Sequence, residues 1–188
     1  MKIYVIRHGE SENNLKGKWT GWFDAPLTEK GMDDARAVGE VIRGIRFDKI
    51  YSSDLSRAVN TARLAIPGCE PELSAQLREI DIGDLANKPQ SVLSGEELDQ
   101  VFKYGYARFG GETNEQFFGR VTSFAKELES SGCDTVAVFT HAGWLRRMLN
   151  FVIGVNMPRK SVVCNNCALG IFEYENGIWR MYSWLNVT

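Results

Sequence analysis

Histidine, clustered basic residues and long apolar stretches are scarce in this chain, and each shortage excludes a class of protein. The 188 residues include only two histidines, carry a net charge of −2 at pH 7 and show no run of lysine or arginine. That charge argues against a nucleic-acid-binding surface. No stretch approaches the ~20 apolar residues of a membrane-spanning helix, and the apolar start, interrupted by Arg7, is too short for a signal peptide. We therefore expect neither nucleic-acid nor membrane partners.

The cysteines are also few, and they lack the spacing of a disulfide framework. Cys164 and Cys167 form a C-x-x-C pair, and the other two are Cys69 and Cys133. A structural zinc site usually needs two such pairs, and a redox pair usually lies at a strand-to-helix turn. This pair instead precedes a predicted strand. We expect a reduced, cytoplasmic protein in which the pair has no metal or redox role.

The order of apolar segments predicts an α/β fold. Strand-like runs alternate with segments of helical periodicity, which is typical of a three-layer α/β/α sandwich with a mostly parallel central sheet. Asn176-Gly177, between two strand-like runs, is a strong signal for a C-terminal antiparallel hairpin. The length suits a single domain over residues 1–188, with a buried core that needs no disulfide or metal.

Three helix starts can be predicted from short polar side chains. Thr28 is a candidate N-cap, and Thr113 together with Gln116 fits a capping box. Ser53 or Asp54 is expected to cap the helix after the second strand. Each of these side chains would satisfy backbone amides that the first turn of a helix leaves unpaired.

The most informative stretch is the first predicted strand, Ile3–Arg7, together with the residues that follow it. The strand ends in Arg7 and His8, and the second histidine, His141, follows another apolar run in the same way. Arg57 comes shortly after a third such run. Because strands of an open α/β sheet present their carboxyl ends to ligands, we expect two imidazoles and two guanidiniums to meet there. Such a cluster suits a multiply charged anion, and phosphate is the obvious one.

The side chains of this cluster have chemistry that matches a phosphate ester. Arg7 offers a planar fork of donors that fits phosphate oxygens. The protein environment can tune the charge and nucleophilicity of the His8 imidazole near neutral pH, and the ring can form a covalent intermediate. Ala142 and Gly143 would present backbone N–H groups at the start of the next helix, which also suits an anion. The alternative is that these residues are ordinary solvated groups at strand ends.

Five segments between Ile3 and about Leu149 form a pattern that is more specific than any one of them. In chain order they read RHGESENN, TGWFDAPLTEKG, YSSDLSRAVNTA, LREIDIGDL and THAG. Together they resemble the histidine phosphatase superfamily, in its phosphoglycerate mutase-like branch. Within that branch the chain is similar to alpha-ribazole phosphatases and to broad-specificity phosphatases.

The resemblance implies a set of catalytic residues. His8 would form a phosphohistidine, and Glu79 would serve as general acid and base. Arg7, Arg57 and His141 would hold the oxygens of the transferred phosphoryl group. Without the resemblance, Glu79 is equally compatible with a solvated carboxylate on a loop.

The resemblance also implies a wider substrate-binding set. Asn14 would contribute its side-chain amide, whereas Thr20, Gly21 and Ala142 would contribute largely through the main chain. The alternative for Asn14 is a structural turn residue.

Asn87–Gly111 is the least periodic region and is expected to form short helices, within a lid-like insertion over the pocket around residues 84–112. Many relatives carry Trp-Glu-Gly where this chain has Leu85-Ala86-Asn87, which leaves the substrate specificity open. Tyr104 and Tyr106 are expected to pack rather than to contact substrate. Basic residues are few in this region, which favours a hydrolase over a mutase; they are Lys88, Lys103 and Arg108.

These observations predict a phosphoric monoester hydrolase of the histidine acid type that needs no metal and no cofactor. Its substrate would be a small phosphorylated metabolite, and inorganic phosphate would be one product. Two alternatives stay open: a cofactor-dependent phosphoglycerate mutase, and a non-catalytic scaffold that binds a phosphorylated partner. A protein-phosphotyrosine phosphatase is a further variant of the hydrolase. The sequence carries no signal for an oligomeric state.

Overall fold

The computed structural model describes residues 1–158 and 161–187, and within them six strands form one sheet. The strands are β1 (Lys2–Arg7), β2 (Lys49–Ser52), β3 (Glu72–Leu73), β4 (Thr135–Thr140), β5 (Leu169–Glu175) and β6 (Ile178–Leu185). The α-helices are α1 (Glu12–Leu15), α2 (Glu29–Val41), α3 (Ser56–Ala65), α4 (Gly95–Tyr104), α5 (Asn114–Glu129) and α6 (Ala142–Ile153). Among the described residues, no helix is both long and apolar enough to cross a membrane.

The sheet has the order β3-β2-β4-β1-β5-β6. The pairs β3–β2, β2–β4 and β4–β1 are parallel, whereas β5 runs antiparallel to both β1 and β6. The predicted α/β class, with a mostly parallel sheet and a C-terminal antiparallel hairpin, is confirmed. The hairpin turn itself has positive φ at Asn176 (52°) and Gly177 (79°), as a two-residue turn of this hand requires.

Successive side chains of each strand point to opposite sides of the sheet, so apolar side chains on both faces must be covered. Helices cover both faces. On one face, Val5 of β1 and Val138 of β4 pack in a buried cluster with side chains of α5 and α6. On the other face, Ile6 and Phe139 pack with side chains of α2 and α3. The buried stripe of α5 is the one expected from helical spacing and comprises Phe117, Val121, Phe124, Ala125 and Leu128.

Two of the three predicted helix caps are confirmed. The Thr28 hydroxyl accepts from the Gly31 amide, and Thr113 and Gln116 form the expected capping box. The prediction for α3 was wrong, since its N-cap residue is Leu55 and carries no side-chain cap. The side chains of Ser53 and Asp54 instead bond to His141 and Arg78, at the carboxyl edge of the sheet.

Residues 84–112 fold around a third buried cluster, which lies apart from the two faces of the sheet. Trp19 enters this cluster, and its ring lies 6.0 Å from the ring of Tyr106. Tyr106 is 5% exposed and packs as expected, whereas Tyr104 is 58% exposed, so the prediction that Tyr104 packs was wrong. The helix α4 turns Tyr104 outward, and the ammonium group of Lys103 lies over its ring at 4.9 Å.

The start of α2 lies directly against the loop that follows β1. The Thr28 amide donates to the Glu10 carbonyl at 2.9 Å. A Cβ atom on Gly31 would lie 2.0 Å from that same carbonyl oxygen, so only glycine permits this approach. The contact fixes the loop that carries the first predicted site residues against a helix.

We expect Gly31→Ala to lower the free energy of unfolding by about 2 kcal/mol or more, because the added methyl group must push two backbone segments apart. Gly119→Ala is the matched control: Gly119 lies in α5, and a Cβ there would meet nothing within 4 Å. That change should raise the free energy of unfolding by about 0.5–1 kcal/mol. Urea unfolding of both variants measures the difference, and equal effects would contradict the close packing.

Candidate active site

The strand register places the predicted site residues in one row. Arg7 of β1 lies opposite Thr140 of β4, so His8 and His141 come next at adjacent strand ends. The His8 amide donates to the Thr140 carbonyl, and the Ser53 amide donates to the Phe139 carbonyl, both at 2.9 Å. The carboxyl edge of β2, β4 and β1 therefore brings both histidines and Ser53 together.

His8 is held by a hydrogen bond from its ring to the main chain. Its Nδ1 donates to the Gly9 carbonyl at 2.6 Å, and its Nε2 accepts from Nε of Arg57 at 3.3 Å. Burial, and then the charges of Arg57 and Arg7, hold the pKa of His8 well below 6.5. The ring is therefore neutral at pH 7, with its lone pair on Nε2.

His141 lies edge-on to His8, with 5.1 Å between the ring centroids. Its Nε2 is 2.9 Å from Oγ of Ser53. We assign the ring proton of His141 to Nδ1, because the Ser53 hydroxyl can then donate to Nε2 while its oxygen accepts from the Leu55 amide. Burial, followed by the charges of Arg57 and His8, holds the pKa of His141 well below 6.5.

Arg57 is 0% exposed, and backbone carbonyls hold it in place. Its Nη1 donates to the Phe23 carbonyl at 2.9 Å, and its Nη2 donates to the Gly21 carbonyl at 2.8 Å. Burial lowers the pKa of Arg57 to about 10, so the guanidinium stays charged at pH 7. Gly21 therefore contributes its main-chain carbonyl to the site by binding Arg57. The carbonyl of the neighbouring Thr20 accepts from the Phe23 amide.

Arg7 is anchored by the loop that precedes β5. Its Nη1 donates to the Cys164 carbonyl at 2.6 Å. Asn166 of the same loop donates from Nδ2 to the His8 carbonyl at 3.1 Å and to Oδ1 of Asn14 at 3.2 Å. Burial raises the pKa of the Cys164 thiol and also that of the Cys167 thiol, the latter to about 12. The C-x-x-C segment therefore contributes to this edge through the Cys164 carbonyl and the side-chain amide of Asn166, and not through its thiols.

Asn14 has a structural role in the short helix α1. Its Oδ1 accepts from the Ser11 amide at 3.2 Å within a capping box. Because Oδ1 also receives the bond from Asn166, the amide NH₂ group is the part of Asn14 that can donate to a ligand. Asn14 thus has a capping role in place of the turn role given as the alternative, and substrate binding by Asn14 stays a prediction.

Glu79 is joined to the start of α6. Its Oε1 accepts from the Ile80 amide and its Oε2 from the Gly143 amide, each at 2.9 Å. Gly143 therefore donates to a carboxylate of this chain rather than standing open to an external anion, contrary to the expectation. Ala142, half-buried, lies between Gly143 and His141, so the amide of Ala142 stays the predicted donor there.

Several residues of the site could not be assigned from their sequence context. Ser53 bonds His141, but its position in the serine pair after β2 suggested only a helix cap. Trp22 is partly exposed, and its Nε1 donates to the Glu79 carbonyl at 2.7 Å. Arg120, on α5, donates to the same carbonyl at 3.0 Å. An arginine at mid-helix gives no sequence signal for such a contact.

The cluster as a whole is positive and rich in unpaired donors. Within residues 1–158 and 161–187, Arg7 and Arg57 form no salt bridge with a carboxylate. In the same ranges, Nε of Arg7 and Nδ1 of His141 are buried without a hydrogen-bond partner. Buried donors without partners are rare in folded proteins, and an anion with several acceptor oxygens would satisfy both.

A polar cavity of about 270 Å³ lies beside Arg7. The other residues that line it are Lys30, Cys164, Asn165 and Asn166. No group of three or more histidine, cysteine or carboxylate side chains that could hold a metal ion occurs in the part of the chain that the structure describes.

Comparisons with known proteins agree with this geometry. The profile of the histidine phosphatase superfamily (branch 1) matches residues 3–187. The chain is 29% identical over 187 residues to the adenosylcobalamin/alpha-ribazole phosphatase of Salmonella typhimurium, covering 95% of this chain and 88% of that protein. It is 28% identical over 200 residues to a Salmonella paratyphi A protein named probable phosphoglycerate mutase GpmB, covering 98% and 90%. The crystal structure of TTHB049 from Thermus thermophilus superposes with a TM-score of 0.79 at 30% identity, covering 98% and 99%.

We expect the free protein to lose stability as the pH falls from about 7.5 to about 5, because both histidine pKa values lie well below 6.5 in the folded state. In that window the unfolded chain binds more protons than the folded one, so the free energy of unfolding decreases with decreasing pH. The slope is at most about 1.4 kcal/mol per pH unit for each histidine. Urea unfolding across the range measures it.

Imidazole NMR signals provide the control for this stability measurement. The chain has only two histidines, so each ring can be followed separately. A titration midpoint near 6.5 for either ring in the folded protein would contradict the buried, neutral state of that histidine.

Proposed function

This chain belongs to the histidine phosphatase superfamily, branch 1, and on that premise we propose that it hydrolyses a small phosphorylated metabolite through a phosphohistidine on His8. The proposed enzyme is a metal-independent phosphomonoesterase, folded as one domain with residues 84–112 as its lid. The observation that carries the proposal is the state of His8: a neutral imidazole, fixed by the Gly9 carbonyl, whose unprotonated Nε2 faces the guanidinium of Arg57.

The proposed first step is attack by Nε2 of His8 on the phosphorus of the ester. The Nδ1–H bond to Gly9 leaves the electron pair on Nε2, which forms the N–P bond. The bond between phosphorus and the ester oxygen breaks, and that oxygen takes a proton from the Glu79 carboxyl group. The alcohol then leaves, and the phosphoryl group stays on His8.

Charge stabilisation in this step comes from side chains that are already in place. Arg7, Arg57 and His141 would bind the oxygens of the phosphoryl group, in a buried setting where such interactions are strong. The two orphaned donors, Nε of Arg7 and Nδ1–H of His141, support this assignment. The NH₂ group of Asn14 and the main chain at Thr20, Gly21 and Ala142 would complete the substrate-binding set.

The second step releases inorganic phosphate. The Glu79 carboxylate takes a proton from water, the water oxygen attacks phosphorus, and the N–P bond breaks. Glu79 ends protonated and His8 ends neutral, so both are ready for the next cycle. Every proton in the two steps moves between Glu79 and the reacting oxygens.

The relatives support a phosphorylated metabolite as substrate and leave a mutase as the second candidate. The name of the Salmonella typhimurium relative points to an alpha-ribazole phosphate ester, which belongs in any substrate screen. The GpmB relative favours testing a phosphoglycerate mutase as the alternative. Against a mutase, the lid carries only three basic residues, Lys88, Lys103 and Arg108, of which the last two lie over the rings of Tyr104 and Phe109. We place the enzyme in the cytoplasm, where its four free cysteines would stay reduced.

We expect the wild type to release phosphate from an aryl phosphate in the presence of a chelator, and His8→Ala to lose at least about 10³-fold in rate. The loss follows because the other imidazole at this edge, His141, has its Nε2 bonded to Ser53 and cannot replace Nε2 of His8. Acid-quenched wild type incubated with substrate should carry one acid-labile phosphoryl group on His8, identified by mass spectrometry.

Controls separate this route from its alternatives. His8→Ala must unfold in a cooperative thermal transition, which shows that the variant is folded. Lys126→Ala, at an exposed position of α5, should keep full activity. Full activity in His8→Ala, or activity lost to the chelator, would refute the mechanism. Phosphoglycerates that interconvert without release of inorganic phosphate would establish the mutase. Tight phosphate binding without turnover of any ester would establish the scaffold.

A further inference from the structure

We propose that Arg120, paired with Glu112, is a positioning residue that holds the backbone of Glu79 in place for proton transfer to the leaving group. This inference rests on the proposed function, in which Glu79 is the general acid. Arg120 lies on α5, outside the row of strand ends that carries the other site residues. Its role follows from how its donors are used.

All five N–H donors of the Arg120 guanidinium are engaged. Nη1 donates to the carbonyls of Gln76 and Arg78, each at 2.8 Å, and Nη2 donates to the carbonyl of Glu79 at 3.0 Å. The two remaining donors bind Glu112, Nε at 3.0 Å and Nη2 at 2.7 Å. A guanidinium with no donor to spare cannot also bind substrate, so Arg120 acts through the segment it holds.

Glu112 fixes the same segment from its other end. Its Oε2 accepts from the Asp81 amide at 2.8 Å, and its own amide donates to the Asp81 carbonyl at 2.9 Å. The side chains of Arg120 and Glu112 are only 16% and 17% exposed, so their ion pair is shielded from water. The pair therefore bonds to the chain both before and after Glu79.

Other side chains complete this hold on residues 76–81, which have no strand neighbour. The Thr140 hydroxyl donates to the Leu77 carbonyl at 2.7 Å, and Trp144 Nε1 donates to the Gln76 carbonyl at 3.0 Å. Each carbonyl from Gln76 to Glu79 thus accepts from a side chain. Arg120 is the one residue that reaches three of these four, including that of Glu79.

The geometry distinguishes positioning from simple stabilisation of the fold. A residue that only stabilises the fold affects every substrate alike once the protein is folded. A residue that positions the general acid matters only where the leaving oxygen needs a proton. The alkoxide leaving group of an alkyl phosphate needs that proton, whereas 2,4-dinitrophenyl phosphate releases 2,4-dinitrophenolate, a stable anion that leaves without one.

The test is kcat/KM of Arg120→Met for these two esters, since kcat/KM covers the steps up to formation of the phosphoenzyme. We expect a loss of about 10²-fold on the alkyl phosphate and of no more than about threefold on 2,4-dinitrophenyl phosphate. Glu79→Gln, which removes the acid itself, should show the same selectivity with a loss at least as large. Arg120→Lys should rescue only part of the loss, since its three donors cannot replace a five-donor fork.

Two further variants make the result decisive. Glu112→Gln preserves the side-chain size and should show the same selectivity to a smaller degree, so it replaces Arg120→Met if that variant does not fold. Arg36→Met, which removes an exposed helical arginine paired with Asp33, should leave both esters unaffected. Equal losses on both esters, with an active wild type, would overturn this inference alone. A wild type inactive on both esters would overturn the proposed function as well.

Discussion

The burial of Arg57 and two imidazoles, together with the partly buried Arg7, at one sheet edge is the constraint on which the rest of the structure depends. Taking cations out of water is costly unless polar groups replace the lost hydration. Here the replacement comes from backbone carbonyls: those of Gly21 and Phe23 for Arg57, and that of Cys164 for Arg7. Carbonyl dipoles hold the cations without neutralising them, so the edge keeps its positive charge for a ligand.

This constraint explains why loops far apart in sequence are fixed in place. The loop after α1 must deliver the carbonyls of Gly21 and Phe23, and the loop before β5 must deliver that of Cys164. Gly31 lets α2 press against the loop that follows His8. Among the described residues the Glu79 segment pairs with no strand, so side chains of α5, α6 and β4 hold it instead. A rigid site of this kind reacts without having to reorganise its dipoles, which is the main source of catalytic power in many enzymes.

The fold and the centre of the site could be predicted from the sequence because both depend on side-chain identity. Apolar alternation predicts strands, and a histidine at a strand end predicts where that side chain will lie. The carbonyls that hold Arg7 and Arg57 could not be predicted, since every residue has one and no residue type marks it. Serine suits both a helix cap and a histidine partner, so the sequence predicts a cap at Ser53, and only the position of His141 decides between the two roles. The sequence around Arg120 is that of an ordinary exposed arginine on a helix. Its contacts with residues 76–79 depend on the tertiary fold and could not be predicted.

The central position of β1 has a consequence for how this chain is made. Lys2 pairs with Thr135 on one side and with Glu173 on the other, so β1 leaves the ribosome well before either of its neighbours. At about 5–20 residues per second, the wait is on the order of ten seconds. During that time an apolar strand with two open edges is exposed, which is the kind of segment that chaperones bind. The strand that leads into His8 is thus also a part of the nascent chain that needs protection.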